Sequence, residues 1–139
     1  MRRVTVSAII ESIEDLYRVQ RGELLEESVR RVEISDALVD TGATTLSMPR
    51  HLIDQLGLLP IRSRRVLTTS GVRDVAIFGA VRLTVNGRDC VCDVVEVDDA
   101  CPVLIGQVPL ELMDFVVDPS RRMLMGNPAH GGEHMLELL

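Results

Sequence analysis

Ala37-Leu38-Val39-Asp40-Thr41-Gly42-Ala43 carries a carboxylate to the end of an apolar run and then breaks the run with small residues. The apolar residues before Asp40 predict the end of a buried strand, and Gly42 lets the backbone turn back tightly over the Asp40 side chain. A carboxylate at such a position needs hydrogen-bond donors. Thr41 offers a hydroxyl and Gly42 an unobstructed N–H, the groups that keep a partly desolvated carboxylate ionisable.

The segments after this turn are patterned as short strands and turns. Pro49 in a first turn, Leu52, Ile53 and Leu56 on one face and Gly57 just past the end predict a helix over residues 49–56, and Pro60 prevents its continuation. Residues 62–67 and 72–78 flank Thr68-Thr69-Ser70-Gly71, which predicts a hairpin with a polar tip. Val81, Leu83 and Val85 alternate before Asn86-Gly87, and residues 90–97 return as the partner of that second hairpin. Asp98-Asp99 ends it. Pro102 to Gly106 reads as a short buried strand meeting a glycine, residues 109–114 as a short helix, and residues 115–117 and 123–125 as a last hairpin around Asp118-Pro119-Ser120.

Upstream of the turn, residues 4–8 alternate with period two and predict a strand near a sheet edge. Ser12, with Asp15 three residues later and Leu16 and Tyr17 spaced helically from Ile13, suggests a capped helix ending before Arg21-Gly22, with a loop as the alternative. Residues 29–34 resume a β composition, and Ser35-Asp36 punctuates it before Ala37. The fold class expected is therefore all-β: mainly strands, with one or two short helices.

This succession resembles the single-lobed, retropepsin-like aspartic peptidases, whose signature is a hydrophobic pair, Asp-Thr/Ser-Gly and a small residue. The likeness continues through Leu46, the helix at 49–56, the hairpin near Ser70-Gly71 and the apolar-apolar-glycine element Leu104-Ile105-Gly106, and it covers residues 30–125. It implies a closed β-barrel with one lobe per chain and assigns catalysis to Asp40, Thr41 and Gly42. The hairpin would be the flap that closes over a peptide, so that Ala43, Thr68, Thr69, Ser70 and Gly71 would contact substrate. Leu104, Ile105 and Gly106 would back the catalytic turn, with Gly106 permitting close backbone approach. No metal or other cofactor is implied.

Peptide hydrolysis of this kind needs two carboxyl groups sharing one proton: one activates water and the other protonates the carbonyl oxygen. The chain has only one such Asp, since Asp36, Asp54, Asp74 and Asp118 lack a following Thr/Ser-Gly. A chain of 139 residues is expected to hold one lobe, so a homodimer would supply the second Asp40. Alanine at 43 cannot donate the hydrogen bond that a serine there would, which predicts a less acidic pair and an optimum from mildly acidic towards neutral.

Composition supports a soluble globular protein, with 46% hydrophobic and 26% charged residues, forming a single domain over 1–139 in which 126–139 is a tail. The core must be aliphatic, because Trp is absent and there are one Tyr and two Phe. That scarcity of stacking platforms and a net charge of −6 argue against nucleic acid as a partner. The pairs Arg2-Arg3, Arg30-Arg31, Arg64-Arg65 and Arg121-Arg122 are expected to be solvated. Residues 4–10 are apolar but contain Thr5 and Ser7, end at Glu11 and lack a cleavage site, so they do not read as a secretion signal; with no membrane-length stretch, no membrane partner and a cytoplasmic location are expected. Cys90, Cys92 and Cys101 are expected to be buried free thiols.

The tail runs through Gly131-Gly132 to Met135-Leu136-Glu137-Leu138-Leu139, too apolar to be left in water. It is expected to pack on its own domain or on a partner subunit, with a disordered tail as the alternative. Two other functions compete with the peptidase. One is an inactive retropepsin-like dimer used for binding or assembly. The other is a zinc peptidase, since His130-Gly131-Gly132-Glu133-His134 fits H-x-x-E-H; adjacent glycines disfavour the helix that motif requires. His51, on the first helix after the turn, is expected to be an exposed or satisfied helix residue.

Overall fold

A computed structural model describes residues 3–138; Arg2, of the first arginine pair, and the terminal Leu139 lie outside them. β1 (Val4–Ser12) pairs antiparallel with β2 (Arg31–Val39), and α1 (Ile13–Gln20) lies between them in sequence. The Ser12 hydroxyl accepts the Asp15 N–H at 3.2 Å, so the Ser12–Asp15 signal marks a true helix start rather than a loop. Ser35-Asp36 does not end a strand. The two residues face the single Ser7 of β1, forming a bulge within the continuous β2, where they absorb a register shift.

From the end of β2 the chain passes through the Asp40 turn into β3 (Leu46–Pro49), α2 (Arg50–Gln55), β4 (Leu59–Thr68), β5 (Gly71–Val85) and β6 (Arg88–Val97). β7 (Leu104–Ile105), α3 (Gln107–Leu112), β8 (Phe115–Asp118) and β9 (Met123–Gly126) complete the main elements. The Asn86-Gly87 turn has positive φ at both residues, 49° and 78°, as the hairpin signal requires.

The seven-stranded sheet has the order β1-β2-β7-β3-β6-β5-β4, and β1 also pairs with β5 from Ile9↔Thr84 to Ser12↔Val81. Residues 4–8, the stretch expected near a sheet edge, pair only with β2, whereas residues 9–12 of β1 also pair with β5. β5 is 15 residues long, so its first half pairs with β4 and its second with β1, while β6 runs along its other side. The sheet closes on itself and leaves β4 as the free edge. The interior is aliphatic apart from Phe78 and Phe115, with Ile10, Leu46, Leu83 and Ile105 fully buried. Among the described residues no helix is long and apolar enough to cross a membrane.

The arginine pairs divide. Arg64-Arg65 and Arg121-Arg122 are exposed; Arg30 is half-buried, and Arg31, though exposed, is like Arg30 tied to a buried acid. Arg31 and Arg82 reach the buried Glu11 at 2.9 and 2.8 Å, while Arg30 grips the buried Asp15 through Nε at 2.8 Å and Nη2 at 2.9 Å. Burial opposes the charged form of Glu11, yet the two guanidiniums outweigh it and hold its pKa below the ordinary range. Hydrogen bonds from Arg30 do the same for Asp15. These acids lie on β1 and α1, far away in sequence, which is why the pairing could not be seen in the Arg-Arg dipeptide.

The thiols also divide. Cys90 and Cys92 are buried on one face of β6, where the Cys90 sulfur and burial push the Cys92 pKa up, but Cys101 is exposed, in a turn whose N–H bonds Asp98 O at 2.9 Å.

The tail folds back on its own domain through polar groups, and its apolar side chains stay in water: Leu136 is 72% and Leu138 90% exposed. His130 ends a 3-10 turn (Pro128–His130) and sits between Asp114, at 2.6 Å from Nδ1, and Glu137, at 2.5 Å from Nε2. Asp114 Oδ2 also accepts the Met135 N–H at 3.2 Å. His134 turns away to Leu112 O, and no helix carries the two imidazoles, so the H-x-x-E-H spacing lacks its required geometry.

Hydrogen bonds to His130 hold Asp114 down at about 2, while Glu137 and Asp114 raise His130 above its ordinary value. A raised histidine contributes fully below its unfolded pKa and loses the contribution as pH rises through its folded pKa; a depressed carboxylate loses its own as pH falls through about 2. The Met135 amide is thus expected to exchange faster, relative to its intrinsic rate, at about pH 9 than at about pH 5. Equal protection by hydrogen exchange at both values would rule out a titrating latch.

Candidate active site

The Asp40 turn is held from behind by one short strand. β7 pairs parallel with β2 (Leu38↔Leu104, Val39↔Ile105) and antiparallel with β3 (Leu46↔Ile105, Ser47↔Leu104), so it joins the two strands that enter and leave the turn. Leu38 N–H donates to Val103 O at 2.8 Å and Asp40 N–H to Ile105 O at 3.0 Å. The next backbone N–H groups along the chain hold the loop itself: Gly106 donates to Thr45 O at 3.0 Å, Gln107 to Ala43 O at 2.8 Å and Val108 to Thr44 O at 2.8 Å. Leu104, Ile105 and Gly106 therefore stand against the turn.

Gly106 is there for space. A Cβ at this position would lie 2.5 Å from Thr45 O and 2.7 Å from both Ala43 O and Thr44 C. All three obstacles are backbone atoms that cannot rotate aside.

Within the turn, Asp40 O accepts the Ala43 N–H at 3.1 Å and Asp40 Oδ1 accepts the Gly42 N–H at 2.9 Å. The glycine donor is thus in place. The threonine donor is not: Thr41 is exposed, and among the described residues its hydroxyl makes no hydrogen bond to Asp40. Asp40 is half-buried and opens on a cavity of about 360 Å³ that Arg3, Leu38, Thr41 and Val117 help to line. Ala43 is half-buried, with both its N–H and its carbonyl used to hold the loop.

A larger cavity, about 630 Å³, separates the loop from the β4–β5 hairpin. Thr44, Thr45 and Val108 form one wall, and Arg62, Arg64 and Ile77 lie among the residues opposite. The hairpin tip is where the sequence predicts it, with Thr68 paired to Gly71 across Thr69-Ser70. It is bonded only within itself: Thr68 Oγ1 donates to Gly71 O at 2.9 Å and accepts the Ser70 N–H at 3.2 Å. Among the described residues no hydrogen bond links the tip to Asp40, and Thr68, Thr69, Ser70 and Gly71 do not line either cavity.

Sequence reading missed Thr44, Thr45, Val108 and the arginines of β4 as cleft residues. Ile61 is an extra residue between the pairs Pro60↔Phe78 and Arg62↔Ile77, a bulge that shifts the phase of β4 against β5. His51 is exposed and bonded to Asp99 at 3.1 Å, as a surface helix residue.

A family model described as "Aspartyl protease" matches residues 29–128. Among solved structures, the solution structure of the simian foamy virus (mac) protease is similar, at 16% identity and a TM-score of 0.47, over 77% of this chain and 91% of that one. No curated protein matches the chain.

Proposed function

Because the chain belongs to the aspartyl protease family, we propose that it is an endopeptidase that hydrolyses peptide bonds with a water activated between two Asp40 carboxylates, one from each chain of a homodimer. The observation that carries this reading is the Asp40 turn: a carboxylate oriented by the Gly42 N–H at 2.9 Å, on a loop anchored by backbone bonds to β7 and to Gly106, Gln107 and Val108. Such anchoring holds a reacting group in place without help from side chains.

In the proposed reaction the ionised Asp40 takes a proton from water as the oxygen attacks the scissile carbonyl, and the protonated Asp40 donates to the carbonyl oxygen. Two facing carboxylates share a single proton because both cannot ionise cheaply, so their titration belongs to the pair. The half-buried Asp40 and the exposed, unbonded Thr41 hydroxyl fit a turn completed by its two-fold mate. The β4–β5 hairpin would act as the flap, its Thr68–Gly71 tip reaching substrate on closure. Residues 1–139 would form one domain, and the free thiols Cys90, Cys92 and Cys101 suit the reducing cytoplasm.

The test is turnover. A peptide library incubated with the wild type across pH should be cleaved with a bell-shaped dependence; no cleavage at any pH would favour the same fold acting as a binding or assembly module. Position 43 offers a finer check. Ala43→Ser adds a donor beside the carboxylates and is expected to move the acid-side limb of the pH–kcat/KM profile down by about one unit, whereas an unmoved limb would remove the argument from Ala43.

A further inference from the structure

We propose that the substrates are peptides carrying an acidic side chain near the scissile bond, and that Arg64 is the residue that reads it. The inference rests on the peptidase reading above and names its substrate class. Arg62 and Arg64 to Leu67 of β4 all line the cavity of about 630 Å³ beside Thr44 and Thr45, so both faces of this strand border it.

The arginines of that hairpin are not equivalent. Arg62 lies 3.5 Å from Asp93, and Arg65 lies 3.7 Å from Asp74. Arg64 makes no ion pair among the described residues and presents an uncommitted guanidinium, a planar fork that matches a carboxylate in two parallel hydrogen bonds. The whole chain carries a net charge of −6, so this positive wall is not part of a generally basic surface. Arg65 and Asp93 line the cavity too, but each lies within ion-pair distance of an opposite charge, and Ile77, Val95 and Val108 make much of the rest apolar, which leaves Arg64 as the lining charge without an ion pair among the described residues.

Charges on β4 also have a plainer use, since β4 is the free edge of the sheet and charged edges resist pairing with other chains. Either sign of charge serves that purpose. Arg64→Glu therefore keeps the edge protected while reversing what the cleft should select.

The experiment compares wild type and Arg64→Glu on peptide sets that differ only by Glu, Gln or Lys at each position around the cleavage site. Wild type is expected to favour Glu over Gln by about tenfold in kcat/KM at one position, with the preference shrinking towards parity at about 1 M salt. Arg64→Glu is expected to favour Lys there. Equal turnover of Glu and Gln peptides, or an unchanged preference in Arg64→Glu, would overturn the inference and leave the peptidase standing. If nothing is cleaved, the peptidase reading falls, and fluorescence-polarisation binding of the matched Glu and Gln peptides decides this inference alone: tighter binding of Glu supports it, and equal or absent binding overturns it.

Discussion

Asp40→Asn is expected to lower kcat/KM by about a thousandfold or more while leaving the fold and the proposed dimer intact. Asparagine has the shape of aspartate and retains a side-chain oxygen to accept the Gly42 N–H, which bonds Asp40 Oδ1 at 2.9 Å. What it loses is the ability to take a proton from water or to hold the shared proton of the pair. Because Asp40 is half-buried, the change leaves no buried charge without a partner, and thermal unfolding should be close to that of the wild type. Mixing sharpens the test. Excess Asp40→Asn chain added to wild type should draw active chains into mixed dimers with one competent carboxylate, and activity should fall below the value set by dilution alone. Wild-type rates from Asp40→Asn would reject the mechanism; simple dilution behaviour on mixing would reject the shared site.

Gly106→Ala is expected to cost about 1–3 kcal/mol of stability and, by shifting the loop that carries Asp40, about a hundredfold in kcat/KM. The backbone at Gly106, with φ −88° and ψ −173°, is one that alanine adopts without strain. The effect is therefore steric: the new Cβ would sit 2.5 Å from Thr45 O, with Ala43 O and Thr44 C at 2.7 Å. Relief requires moving either the 43–45 loop or the start of α3, and each is hydrogen-bonded to the other. Urea unfolding midpoints and peptide turnover measure the two parts separately. A variant with both unchanged would mean that the loop is softer than its backbone bonds imply.

The legible features were those carried by neighbours in the chain. Asn86-Gly87 marks its turn because both residues tolerate positive φ, Ser12 caps α1 because its hydroxyl reaches the N–H three residues on, and Thr68 to Gly71 closes the first hairpin. The Asp40 turn belongs with them, since Gly42 needs only local geometry to donate to the carboxylate. The expectations that failed depended on distant partners. That the strand runs on past residue 8, where residues 9–12 pair with β5, was not visible, because nothing local shows that β5 outlasts β4. Arg30 and Arg31 looked solvated because their acids, Asp15 and Glu11, sit on other elements. Cys101 looked like another core thiol, but the turn after β6 leaves it in water.

By itself, then, the sequence determined the carboxylate-bearing turn and the strand-and-hairpin pattern around it, because each depends on dihedral preference or on contacts a few residues apart; the glycine behind the turn was legible only through the family resemblance, since it works by close approach to residues far away in the chain. Only the tertiary structure decided that the sheet closes through β1 and β5, that backbone bonds from residues 106–108 hold the loop, and which side chains of β4 line the cleft. Those outcomes follow from pairings between segments far apart in the chain, which no local preference encodes.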